Sequence, residues 1–143
     1  MADCDYEAQW GTGPHFTADA IIYDGNLRSV VLIQRNDNLR WALPGGFINP
    51  LEDAFKACLR EVQEETSLVL NWKDKKASLI FDGKTRDPRS WMITVAFLFD
   101  VSHYAELDIC AGDDAADINW FTLDQIDKMD LYADHRKIIR SFI

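Results

Sequence analysis

Three carboxylates, Glu61, Glu64 and Glu65, crowd into about one helical turn of the run Arg60-Glu61-Val62-Gln63-Glu64-Glu65. Like charges three or four residues apart each destabilise a helix by about 0.2–0.5 kcal/mol. A divalent cation between them would relieve that repulsion, so the cluster reads as a metal site. Upstream lies Gly45-Gly46-Phe47-Ile48-Asn49-Pro50-Leu51-Glu52, a glycine loop feeding the acidic helix. Glu52 is open to two readings, a capping-box acid or a further metal ligand.

The elements that must position these groups follow from local pattern. Asn49 is a good N-cap and Pro50 suits the first helical position. At 100° per residue, Leu51, Ala54, Phe55, Cys58, Leu59, Val62 and Thr66 share one sector, which must face a core. Glu61, Glu64 and Glu65 lie beside it, and small Ala57 is expected to leave room on their side. Cys58 falls in the apolar stripe and is read as core rather than as a nucleophile. Strands are expected over residues 17–23 and 28–35, the second covered on both faces because Val30, Val31, Leu32 and Ile33 are continuous. Asp24-Gly25-Asn26 supplies the turn between them. Further strands are expected at residues 41–43, 77–82, 91–101 and 118–121, and short helices near 123–129 and 133–142, the last turning Ile138, Ile139 and Phe142 inward. Strands and helices interleave, so the class is α/β (or α+β), with helices packed on a mixed sheet.

The 143 residues suffice for one domain, residues 1–143, with residues 1–13 as an N-terminal arm that Trp10 and Phe16 should pack down. A net charge of −9 and the lack of any basic run disfavour nucleic-acid and anionic-membrane partners. Cys4, Cys58 and Cys110 form no C-x-x-C pair, which argues against a disulfide framework or a thiolate zinc site. The acidic start carries no signal-peptide pattern and no apolar stretch is long enough to span a bilayer, so a cytoplasmic protein is expected.

Gly46, Glu52 and Arg60-Glu61-Val62-Gln63-Glu64-Glu65, with five and seven residues between them, resemble the Nudix box. Six fixed residues recur by chance about once in ten million windows. The chain is similar to the ADP-ribose pyrophosphatase branch through Phe16-Thr17-Ala18-Asp19-Ala20, Trp41-Ala42-Leu43-Pro44-Gly45-Gly46-Phe47 and Arg86-Asp87-Pro88-Arg89. Ile93-Thr94-Val95-Ala96-Phe97, Gly112-Asp113-Asp114-Ala115, Trp120-Phe121 and Asp134-His135 continue the likeness, over roughly residues 14 to 140. Such domains also occur fused to nicotinamide mononucleotide adenylyltransferases and in regulators of NAD metabolism that bind ligand. Two positions depart from the family pattern: Leu51 and Ser67 replace glycines, and neither change removes a carboxylate.

The resemblance implies an α/β/α sandwich and Mg²⁺- or Mn²⁺-dependent hydrolysis of a nucleoside diphosphate linked to another moiety. ADP-ribose cleaved to AMP and ribose 5-phosphate is the leading expectation. Another nucleotide (a nucleoside triphosphate, a dinucleotide polyphosphate or NADH) and a non-catalytic ADP-ribose sensor are the alternatives. Glu61, Glu64 and Glu65 are implied as metal ligands, with the Gly45 carbonyl nearby. The base could come from Glu64 or Glu61, or from the acidic loop over residues 102–116 through Asp113, Asp114 or Glu106; that loop could equally be a solvated one. Arg60 is expected to pair with a box carboxylate such as Glu52. Arg35, Arg86 and Arg89 are candidate phosphate binders, although the loop over residues 83–90 could be a plain hairpin tip. Gly46 would border the substrate, and Trp10, Phe16 or Phe47 would offer adenine a face unless they are core. His103 and His135 are read as structural. A homodimer is expected by analogy.

Overall fold

β-Branched and aromatic runs build a seven-stranded mixed sheet, seen in a computed structural model that describes residues 13–112 and 114–143. In chain order the elements are β1 (His15–Asp24), β2 (Ser29–Arg35), β3 (Trp41–Ala42), β4 (Gly45–Phe47), α1 (Ala54–Thr66), β5 (Lys75–Phe81), β6 (Met92–Asp100), β7 (Ala115–Thr122), α2 (Leu123–Lys128) and α3 (His135–Phe142). The sheet order is β3-β2-β1-β6-β5, with β4 also on β1 and β7 also on β2. β1 and β6 run parallel from His15 opposite Met92 to Tyr23 opposite Asp100. The other pairings are antiparallel.

Strand alternation divides the core into two layers. Ala18, Ala20, Ile22 and Val31 pack with Ala57, Cys58 and Val62 of α1. Ile21, Val30 and Leu32 pack with Leu123 and Ile126 of α2 and Ile138 and Ile139 of α3. The sheet is therefore sandwiched between helices, as expected, and the continuous run of β2 is covered on both faces. β5 is the exception. Six of its seven residues are exposed, and it is the last strand of the sheet order. Among the described residues no helix is long and apolar enough to cross a membrane.

Several local expectations change. The helix starts at Ala54, and Asp53 caps it by accepting from the Lys56 amide at 2.8 Å. Asn49 is not the cap because Leu51 takes a positive φ of 71°, which breaks helical geometry before residue 53. The Asn49 amide instead donates to Glu52 Oε1 at 2.8 Å and closes a separate turn. Leu51, expected on the core-facing sector, is fully exposed, and Ala57, expected to leave room beside the carboxylates, is fully buried. The glycine loop is itself a strand, β4, paired to β1 through Thr17–Phe47 and Asp19–Gly45. β7 starts at Ala115, earlier than its apolar residues suggest, because it follows β2 as far as Arg35. Trp10, Cys4, Asp113 and the packing of the N-terminal arm lie outside the described residues.

Candidate active site

Two glycines bring β4 against the acidic helix. A Cβ on Gly46 would stand 2.4 Å from Glu61 Oε1, and one on Gly45 would stand 2.2 Å from Asp19 Oδ1. Only glycine allows so close an approach. It lets the Gly45 amide donate to Glu65 Oε1 at 2.8 Å. Glu65 is 6% exposed. Burial pushes its carboxyl up to about 8; the Gly45 hydrogen bond opposes this, and the charges of Glu61, Asp19 and Asp114 add to it. Burial also raises Glu61, with Arg60 opposing. The cluster is short of positive charge.

Arg60 is the cation the helix supplies. Its guanidinium donates to Glu52 at 2.7 and 3.2 Å, to Glu61 at 2.8 Å, to Glu64 at 3.3 Å and to the Phe47 carbonyl at 2.9 Å. This carries the expected pairing with Glu52 further, tying β4 to α1 through one side chain. Among the described residues no three acidic, histidine or cysteine side chains converge tightly enough to hold an ion alone. Glu61 and Glu65 nonetheless suit a hard cation that completes its shell with water and phosphate oxygens. They are two carboxylates on one cleft wall, beside a backbone that lacks any Cβ.

The cleft they face has a volume of about 560 Å³. Gly45, Gly46, Phe47, Glu61, Glu65 and Asp114 line it, as do Arg35, Arg86 and Arg89. Glu64, Glu106 and Phe16 are not in its lining. Glu64 keeps about half its side chain in solvent, and Phe16 is 52% exposed. The three arginines each meet a carboxylate through two nitrogens: Arg35 with Asp37, Arg86 with Asp134 and Arg89 with Asp87. Arg86 also donates to the Met92 carbonyl, and its side chain is only 7% exposed, so it braces the cleft.

Four lining residues exceed the sequence reading. Asp19 is a buried carboxylate whose Oδ2 accepts from Thr94 Oγ1 at 2.6 Å. Its signal was a charge inside an apolar strand. Tyr132 carries the Arg35 guanidinium 4.0 Å above its ring and donates its hydroxyl to Asp87 at 3.1 Å. Burial pushes that phenol up to about 12, so it stays neutral. Asp87 is held below the usual carboxylate range despite burial, because Arg89 and Tyr132 donate to it. His135 accepts the Leu43 amide on Nδ1 at 2.9 Å, which leaves its proton on Nε2, and burial depresses its pKa. It orients α3 as expected and also lines the cleft.

A NUDIX domain model matches residues 13–142. The ADP-ribose pyrophosphatase of Methanocaldococcus jannaschii is 35% identical over 133 residues, covering 91% of this chain and 73% of the relative. The ADPR responsive transcriptional repressor NtrR of Acinetobacter baylyi is 31% identical over 134 residues, covering 89% of this chain and 52% of the repressor. A crystal structure of the bifunctional NMN adenylyltransferase/ADP ribose pyrophosphatase of Francisella tularensis matches with a TM-score of 0.86 at 29% identity. That match covers 96% of this chain and 44% of the bifunctional protein. A second structure of that protein, complexed with AMP and a Mn ion, gives a TM-score of 0.84. The chain thus spans about half or less of the repressor and of the bifunctional protein.

Proposed function

The chain belongs to the Nudix family, and from that premise we propose that it hydrolyses ADP-ribose to AMP and ribose 5-phosphate. The observation that carries this reading is a single cleft lined both by the carboxylates Glu61, Glu65 and Asp114 and by Arg35, Arg89, Phe47 and Tyr132. A diphosphate joined to two sugars carries a charged centre and needs cations and stacking surfaces beyond it. Arg35 and Arg89 are the candidates to meet phosphate oxygens, and Phe47 or Tyr132 would stack on adenine. The names of the pyrophosphatase relatives support the same substrate.

A divalent cation, Mg²⁺ or Mn²⁺, held by Glu61 and Glu65 with Glu64 and the Gly45 carbonyl beside them, would polarise the phosphates and lower the pKa of the attacking water. Arg60 holds Glu61 and Glu52 in place, and the Gly45 amide does the same for Glu65. Asp114 and Glu61 are the described base candidates that line the cleft, and Asp113 adjoins Asp114 in sequence. Incubation with ADP-ribose and Mg²⁺ or Mn²⁺, followed by chromatography, should yield AMP. Absence of AMP with either metal would sink the proposal, and a panel of other nucleotides run alongside would identify a different Nudix substrate. The repressor's name motivates a second reading, binding of ADP-ribose without turnover. Saturable ADP-ribose binding with no product would favour it.

A further inference from the structure

We propose that Asp19 and His135 together bind a ribose hydroxyl of the substrate, the carboxylate accepting from it and the imidazole donating to it. This rests on the proposed action on a nucleoside diphosphate joined to a sugar, and adds the groups that recognise the sugar.

Both side chains line the cleft and both are more than nine-tenths buried, Asp19 at 7% exposed and His135 at 4%. Each commits one polar atom to the fold. Thr94 Oγ1 donates to Asp19 Oδ2 at 2.6 Å, and the Leu43 amide donates to His135 Nδ1 at 2.9 Å. The second atom of each, Asp19 Oδ1 and His135 Nε2, has no hydrogen-bond partner among the described residues. Neither is sealed in the interior, because Ser90 Oγ is the one fully buried side-chain polar atom without a partner among those residues. Both therefore open on the cleft, where convergent polar atoms fix what enters.

The two atoms are complementary. An imidazole that accepts an amide on Nδ1 carries its proton on Nε2, so that nitrogen only donates and the ring is neutral. The carboxylate oxygen only accepts. The fold also brings them close. His135 is fixed to Leu43, two residues before Gly45, and Gly45 lies opposite Asp19 in the pairing of β4 with β1. Among the side chains around it, Asp19 exerts the strongest charge effect on the His135 ring. A hydroxyl satisfies both atoms, accepting one hydrogen bond and donating the other. An ionised phosphate oxygen has no proton for Asp19, and the carboxylate repels it. Glu65 and Asp19 flank the same Gly45, so the pair sits beside the carboxylates that face the diphosphate. The sugar joins that diphosphate directly, whereas the adenine edge lies beyond the sugar.

Calorimetry on the full chain in EDTA, where metal-dependent turnover stops, tests this with Asp19→Asn and His135→Asn. Asparagine at 19 keeps an oxygen for Thr94, and asparagine at 135 keeps an acceptor for the Leu43 amide. Circular dichroism checks that each variant folds, and either one alone carries the test. Each should weaken ADP-ribose about tenfold, while inorganic pyrophosphate, which has no sugar, binds at least as well as to the wild type. Charge alone predicts the opposite for Asp19→Asn, since losing a carboxylate beside an anion tightens binding. Of AMP and ribose 5-phosphate, the one that weakens identifies the ribose held, and inosine monophosphate should follow AMP. Mn²⁺ alone should bind Asp19→Asn as it binds the wild type. Unchanged ADP-ribose affinity in either folded variant, an equal loss for pyrophosphate, inosine monophosphate departing from AMP, or lost Mn²⁺ binding in Asp19→Asn would overturn the proposal. ADP-ribose neither bound nor hydrolysed by the wild type would remove the functional reading and this proposal with it.

Discussion

An amide in place of the Glu65 carboxylate keeps the shape that the Gly45 amide binds and removes the charge a cation needs. Outer partners of bound metals are worth about 10–100-fold, so Glu65→Gln is expected to cost at least about 100-fold in kcat with little change in melting temperature. Steady-state kinetics beside a thermal melt checks both. Leu51 makes the opposite case. It holds φ at 71° with its side chain fully in solvent, so Leu51→Gly sheds left-handed strain of about 1 kcal/mol and loses no packing. The melt should rise by about 3 °C. Ser67 shares that geometry at φ 66°, but its hydroxyl donates to the Cys110 carbonyl at 3.0 Å, so Ser67→Gly should be nearly neutral. The Arg60–Glu52 pair was legible because the box resemblance put one cation among several carboxylates, although Glu52 lies just before the helix. Tyr132 and Asp87 were not, since their meeting depends on a tertiary approach across 45 positions of chain.

Among the elements, α3 is anchored through His135, whose ring accepts the Leu43 amide at the end of β3. Burial depresses its pKa from 6.5, while Asp19 opposes the shift. The unfolded chain therefore binds more protons below about pH 6.5, and folding stability is lost as pH falls from there towards the depressed value. Thermal melts from about pH 5 to 7.5 should show that slope, and His135→Gln should flatten it. Strand and helix periodicity made most elements legible, including both terminal helices, and the family resemblance supplied their sandwich arrangement. The start of α1 was misread because Asn49, Pro50 and Glu52 form a good cap signal that a positive φ at Leu51 overrides. The pairing of β4 was unreadable for a related reason: two glycines carry no pattern, and their strand exists because β1 and Glu61 leave no room for a side chain.

At the scale of the whole molecule, an acidic chain with two carboxylates raised chiefly by burial in one cleft should be stabilised by a divalent cation. Mg²⁺ at 100 times its dissociation constant adds about 2.7 kcal/mol if it binds only the folded state. A melt raised by roughly 8 °C, absent in Glu65→Gln, would register it.

The parallel pairing of β1 with β6 bears on how the chain is made. β1 lies at the start, and its long neighbour begins at Met92. A ribosome adding about 5–20 residues per second therefore holds the first strand without its main partner for several seconds. Its interim contacts are the short antiparallel ones from β2 and β4. Chains released after residue 91 should show no cooperative melt, whereas chains ending at residue 143 should refold unaided.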